Sequence, residues 1–228
     1  TGKGATRAPK GGRVARKTPL SRERIVTAAM QVADDGGLGA VSMRNVGKEL
    51  GAEAMSLYHH VSGKEELLDL LADAAFTQIP LPEIGAPWRA AMTSRAHAMR
   101  AVLKRHSWAL TLLESRANPG EAVMRHHDRV LGLLRGDGFD LVLAAHAYSA
   151  LDAYIYGFVL TELSLPFTPD TGPEEFAEGL ELTASEYPHL AEMLEQMVVG
   201  HDYDYGDEFG YGLDLVLDQL EQRRAAQS

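Results

Sequence analysis

A chain of 228 residues, 45% hydrophobic and 24% charged, is long enough for one small and one larger folded unit with a sizeable core. It has no cysteine, which excludes disulfides, thiol catalysis and zinc fingers and fits a reducing cytoplasm. The net charge of −10 argues against a nucleic-acid binder only until it is divided along the chain.

Residues 1–24 hold eight basic side chains against Glu23 alone, a local +7, so the remainder carries −17. No Lys or Arg occurs between Arg135 and Arg223. A polyanion can therefore be met only by the N-terminal part. Residues 1–20 are rich in Gly, Ala, Lys and Arg without apolar periodicity, and read as a disordered basic arm. No apolar run follows its charges, as a signal peptide would need. The arm suits either a solubilising tail or contact with phosphates and a minor groove.

Residues 21–66 read as a small helical unit. A first helix is expected from Ser21 to about Asp35, with Ile25, Ala28, Ala29 and Val32 inward and Gly36-Gly37 ending it. In SMRNVGKEL (Ser42 to Leu50), Met43, Val46 and Leu50 share one face, Ser42 stands at the N-cap and Gly51 at the C-terminal left-handed position. A short helix from Ala54 to about His60 follows, with Leu57 and Val61 inward and Ala54, Met55, Ser56, Tyr58 and His59 outward. Helix, glycine turn and short helix with an uncharged outer face make a helix-turn-helix.

Gly51, Ser56, Leu57, Tyr58, His60, Val61, Lys64 and Leu67 carry a more specific signal. They match glycine-x-x-x-x-small-leucine-tyrosine-x-histidine-phenylalanine/valine-x-x-lysine-x-x-leucine, and the stretch resembles the recognition-helix region of the tetracycline-repressor (TetR) family of transcriptional regulators. The resemblance implies that Ser42 and Lys64 hold phosphates, Tyr58 and His59 reach the backbone or groove edge, and Ala54, Met55 and Ser56 face bases. Arg44 is a further phosphate or base candidate. Ala54 and Met55 cannot hydrogen-bond through their side chains, so thymine methyls are their natural contacts.

Residues 67–228 read as a larger helical unit for ligand binding and dimerisation. A fourth helix from Lys64 to about Gln78 links the two, stopped by Pro80 and Pro82. Further helices are expected from Trp88 (Met92, Met99, Val102 and Leu103 inward), over Trp108–Ser115, and over Glu121–Arg135 (Val123, His127, Val130, Leu131 and Leu134 inward). Leu141–Leu163 is long and apolar, Ser164–Pro173 is a loop, and Glu174 to about Met197 is helical with a break at Pro188. Gly200–Asp207 is an acidic loop and a last helix runs from about Glu208 to Arg224. With no alternating strand runs and no repeats, the class is all-α. Asp152 at the centre of Leu141–Leu163 costs roughly 2.5–3.5 kcal/mol in a bilayer, so that helix reads as one buried in protein.

Leu113-Glu114-Ser115-Arg116 and Phe209–Leu220 resemble, more weakly, the family's C-terminal domain. That implies a ligand pocket among Arg95, Met99 and Leu103, then Arg116, His127 and Val130, then Tyr148, Asp152 and Tyr156. The last three fall at i, i+4 and i+8. The Asp152 carboxylate needs a partner or an aqueous cavity, and a core hydrogen bond serves as well as a ligand. His127 alone also suits a satisfied core histidine, and Arg116 either an acidic ligand or a structural carboxylate. The family's tetracycline–magnesium binders use a histidine where this chain has Leu112, and Ala153 and Thr161 are not ligands either, so a large, partly apolar organic effector is expected instead. No metal or cofactor is expected. The long helix and the last one (Leu213, Val216, Leu217 and Leu220) suit a four-helix homodimer interface reading a palindromic operator in double-stranded DNA.

An enzyme is poorly supported. Glu186-x-x-His189 is half of a di-iron motif without a second copy, and His59-His60 and His126-His127 lack metal-binding helical spacing. There is no Gly-x-Ser-x-Gly elbow and no phosphate loop. A helical protein–protein adaptor or small-molecule-binding protein without specific DNA binding is the other class left open.

Overall fold

The computed structural model describes residues 19–115, 120–167, 172–180 and 183–227. The basic arm up to residue 18 and the candidate Arg116 lie outside them. The described residues form eleven α-helices and one short 3-10 turn, without a strand.

Helix α1 (Arg22–Ala40) starts at Ser21, whose Oγ accepts from the Arg24 N–H. It passes the expected stop at Gly36-Gly37 and resumes after a kink, where Gly37 takes φ 68°. The glycines interrupt the helix rather than end it. Its inward face holds Ile25, Ala28, Ala29 and Ala33, while Val32 is only half-buried. Helices α2 (Met43–Leu50) and α3 (Ala54–Leu57) meet across Gly51, in the left-handed region at φ 61°. Helix α4 (Lys64–Thr77) buries Leu67, Leu68, Leu71, Ala75 and Phe76 and packs against α1 on one side and the body on the other.

The body comprises α5 (Trp88–Arg105), α6 (Trp108–Ser115), α7 (Glu121–Gly136), α8 (Leu141–Leu163), α9 (Gly172–Gly179), α10 (Pro188–Met197) and α11 (Glu208–Ala225). Pro188 opens α10 at its first position, where the missing N–H costs nothing, instead of breaking a longer helix. Helix α8 is the hub, contacting α5, α7 and α11. Its apolar sequence is explained by Ala144, Ala147, Leu151, Ile155 and Val159, all at 1% exposure or less. Each fully buried Leu or Ile of this kind contributes ~1.5–3 kcal/mol. No helix among the described residues is long and apolar enough to cross a membrane.

One hydrophobic core runs from Ile25 in α1 to Leu220 in α11. Two polar ties reinforce the join between head and body. Asp34 of α1 accepts from the Trp108 indole N–H (2.6 Å) and lies 2.7 Å from His106 Nδ1. Asp73 of α4 accepts from the Ala122 N–H (2.7 Å) at the start of α7. Helix α11 turns Leu213, Leu217 and Leu220 into its own protomer's core. The expected interface stripe is therefore mostly used internally. The large apolar side chains left exposed beside it are Tyr211 and Leu215 on α11 and Leu141, Val142, Leu160 and Leu163 on α8.

Candidate functional site

Local sequence fixes the head. Ser42 Oγ accepts from the Asn45 N–H (3.1 Å), and Asn45 donates its side-chain amide to the Ala40 carbonyl (2.7 Å). The turn between α2 and α3 is close: a Cβ on Gly47 would stand 2.9 Å from the Ala52 carbonyl oxygen and 3.3 Å from Ala54 N. Helix α3 is shorter than expected, because a tight turn takes over at Tyr58, with both His60 N–H and Val61 N–H donating to the Leu57 carbonyl. Leu57 and Val61 anchor this turn in the core at 0% and 1% exposure. That leaves Met55 (72% exposed), Tyr58 and His59 projecting outward, with Arg44 and Lys64 exposed beside them. Ala54 is half-buried against α2, and Ser56 is half-buried with its hydroxyl donating to the Glu53 carbonyl (2.6 Å). Glu66 Oε2 accepts from the Ser62 N–H (2.6 Å) and its other oxygen pairs with Arg22, so the loop before α4 is held. These bonds, the Ser62 backbone one foremost, keep the Glu66 carboxyl below the usual range.

In the body, Arg95 of α5 and Asp152 of α8 form a buried ion pair, Nη1 to Oδ1 at 2.7 Å, with the residues 3% and 7% exposed. The Tyr156 hydroxyl lies 3.5 Å from Asp152 Oδ2. The Tyr148 ring sits under the Arg95 guanidinium (5.3 Å) and stacks parallel with His127 at 3.8 Å. Burial, with the Asp152 charge behind it, pushes both phenols well above their ordinary pKa, so they stay protonated. Five of the expected ligand residues are thus brought together. Met99, Leu103 and Val130 belong to the hydrophobic core, each at 1% exposure or less.

The phase of α7 differs from expectation. His126, 2% exposed, is the core histidine, edge-on to Phe76 with Nε2 3.0 Å from the Ile79 carbonyl oxygen. His127 is exposed, and Leu131 and Val123 are half-buried where Leu133 is buried. Val130 and Leu134 follow His126 at i+4 and i+8 but His127 at i+3 and i+7, both helical spacings. Only packing on α4 and the Ile79 carbonyl separates them. Burial, with the Arg95 charge adding to it, holds the His126 imidazole below its ordinary pKa.

Beside Arg95 opens a cavity of about 340 Å³ between α5 and the segment after α4, lined by Pro80, Leu81, Pro82, Ala86, Ala91 and Ser94 among others. Arg95 is the one sequence-predicted ligand residue on its wall. The Pro80-x-Pro82 segment was legible as a helix stop but not as a wall.

Two sequence profiles match the chain: "Bacterial regulatory proteins, tetR family" over residues 25–71, and "Tetracyclin repressor-like, C-terminal domain" over 80–224. The chain belongs to the tetR family. As a member it is a ligand-responsive, DNA-binding regulator of transcription that acts as a dimer. It is similar to the HTH-type transcriptional repressor DrrR1 of Streptomyces coeruleorubidus, 37% identical over an alignment of 216 positions that covers 90% of this chain and 78% of the relative. It is also similar to an HTH-type transcriptional regulator of Saccharopolyspora erythraea, 34% identical over 77% of this chain and 75% of that protein. Among solved structures, the tetR-family protein ActR of Streptomyces coelicolor in complex with actinorhodin superposes with a TM-score of 0.74 at 28% identity, over 91% of this chain and 99% of ActR. Apo ActR matches at the same TM-score over 92% of this chain and 99% of that one, at 26% identity. In this tetR-family chain, the buried Arg95–Asp152 pair and the cavity beside it lie within the matched C-terminal domain, and the exposed Met55, Tyr58 and His59 within the matched N-terminal one.

Proposed function

We propose that the chain is a cytoplasmic repressor without catalytic activity, which binds a palindromic operator as a homodimer and releases it on binding a small organic molecule. The head spans residues 21–66 and the effector and dimerisation unit 67–228. Arg44, Met55, Tyr58, His59 and Lys64 make the DNA contacts, with Ser42, Ala54 and Ser56 lining the approach. Arg95, His127, Tyr148, Asp152 and Tyr156 hold the effector above a floor of Met99, Leu103 and Val130.

One observation carries the reading: a turn held by the buried Leu57 and Val61 leaves Met55, Tyr58 and His59 exposed and outward, with the exposed cations Arg44 and Lys64 beside them. The exposed apolar residues of α8 and α11 supply the dimer face, and an open cavity between these helices, lined by Leu143, Ala150, Leu215 and Val216 among others, supports the insertion of a second copy there. One head reads too few bases alone, while a two-fold pair reads half-sites about one turn of DNA apart. The effector shifts the equilibrium only if it binds the two head separations unequally, and α4 is the element that joins pocket to head. Selection of bound duplexes from a random DNA pool by the purified protein tests this. One recovered palindrome supports the dimeric reader; only salt-sensitive background binding refutes it.

A further inference from the structure

Helices α1 and α4 both join the head to the body, and they do so differently. Helix α4 crosses as continuous chain, and a head held by α4 alone would be free to turn about it. Helix α1 supplies a second point of attachment, packing on α6 as well as on α4. Its buried face on the way there is Ala28, Ala29 and Ala33, short side chains that raise only shallow ridges and let a packed neighbour slide. What fixes α1 in angle is polar.

The corner between α5 and α6 makes that contact. His106 leaves helical geometry at φ −119°, ψ 62° and ends α5, and the rings of His106 and Trp108 both reach Asp34. Asp34 Oδ1 accepts from the Trp108 indole at 2.6 Å and from His106 Nδ1 at 2.7 Å. With the proton on Nδ1, His106 Nε2 accepts from the side-chain amide of Gln78 (3.1 Å), the C-cap of α4. One histidine, 3% exposed, thus ties α1, the end of α4 and the α5–α6 corner together. Apolar contact is indifferent to direction, whereas a hydrogen bond weakens steeply once misaligned. Three residues past Asp34, α1 kinks at Gly37 and leads to Ala40, whose carbonyl accepts from the Asn45 side chain of α2. The close approach at Gly47 then joins α2 to the recognition turn. A tilt at Asp34 is carried into the reading surface.

We infer that Asp34, held by His106 and Trp108, is the positioning residue that sets the spacing of the operator half-sites this dimer accepts. This rests on the reading of the chain as a dimer on a palindrome, and adds the residue that fixes its geometry. In a two-fold dimer the bodies are joined to each other, so the separation of the heads depends on the angle at which each stands on its own body. One base pair added between half-sites moves them apart by about 3.4 Å and turns one against the other by about 35°. A head fixed at two points refuses that step, and a head free to turn about α4 follows it. The tie from Asp73 to the Ala122 N–H joins α4 to α7 and leaves this rotation open.

The test uses the full chain with the palindromic duplex recovered from the random pool, rebuilt with its spacer shortened or lengthened by one base pair, and with a duplex carrying one half-site. Wild-type protein is expected to lose at least roughly tenfold in affinity for either altered spacer. Asp34→Ala and His106→Phe are each expected to shrink that loss to about threefold or less, with binding to the single half-site changed by less than about twofold. Trp88→Phe gives up the indole bond to Glu221 (3.0 Å) at the other end of α5, and is expected to melt earlier yet keep the wild-type spacing preference. That control separates positioning from loss of stability. Asp34→Ala, at a side chain that is only partly buried, decides if His106→Phe unfolds. Wild-type protein indifferent to spacing, variants as strict as wild type, or a Trp88→Phe protein equally relaxed overturns the inference, while the recovered palindrome keeps the dimeric reader standing. No palindrome at all sinks both.

Discussion

Asp73 of α4 supplies the N-cap that Gly120 of α7 lacks. Gly120 has no side chain to receive the first free N–H groups of α7, and the Asp73 carboxylate accepts from Ala122 N–H at 2.7 Å in its place. A Cβ built on Gly120 would fall 2.2 Å from Asp73 Oδ1, so the carboxylate occupies the space of the missing side chain. The helix that carries the head at one end thereby caps a helix of the effector unit near its other end. Cap and linkage are one contact.

Separating the two roles is the direct test. Asp73→Ala is expected to cost ~1 kcal/mol, the usual loss of a cap. Asp73→Ala/Gly120→Ser restores a local cap and recovers most of that stability in urea unfolding. If α4 is the lever, the double variant still binds operator but is released by effector far less readily. Unimpaired release in the stable double variant removes Asp73 from the coupling path.

In the head, His59 is exposed on the recognition turn. His59→Ala is expected to weaken operator binding while changing stability by less than about 0.5 kcal/mol. Gel-shift affinity alongside thermal unfolding reads both, and unchanged affinity removes His59 from the DNA contacts.

Gly47 is a packing requirement of the same head. An Ala there meets the backbone of Ala52 and Ala54, which cannot swing aside as a flexible side chain would. Gly47→Ala is expected to destabilise by ~1–3 kcal/mol through overpacking and to lower operator affinity by splaying α3 from α2. A variant of wild-type stability would show that the turn opens freely.

Breaking the Arg95–Asp152 pair on one side leaves a buried uncompensated charge. Asp152→Leu alone is expected to cost ~3–5 kcal/mol, whereas Arg95→Met/Asp152→Leu recovers most of it. Denaturant midpoints of the two variants decide this, and equal costs would mean that the pair is solvated.

His126 sets a pH dependence. Its folded pKa lies below the ordinary value near 6.5, so below that pH the unfolded chain binds a proton that the folded one refuses. Stability contributed by the neutral imidazole is present above about pH 6.5 and is lost as pH falls from there toward the folded value. His126→Phe is expected to flatten this part of the melting-temperature profile. A profile of unchanged slope would show that His126 takes up its proton in the folded state.

Glycine turns, caps and apolar spacing placed α2, α4, α8 and α11 in sequence because those signals are local. Ser42 and Gly51 bound α2, and the apolar run Leu141–Leu163 before the loop at Ser164 reads as one long buried helix. The family motif from Gly51 to Leu67 was legible for the same reason, since every contact it encodes lies within one turn-and-helix unit. What required the tertiary structure was every choice between equivalent local options. Val130 and Leu134 fit a helical face with His126 or His127, and only the Ile79 carbonyl and Phe76 select His126. Leu213, Leu217 and Leu220 form a stripe for any apolar neighbour, and packing on α8 assigns it to the protomer's own core. Asp152 needed a partner, and no spacing rule reaches the 57 residues back to Arg95. Periodicity states that a face is buried; only the chain folded on itself states against what.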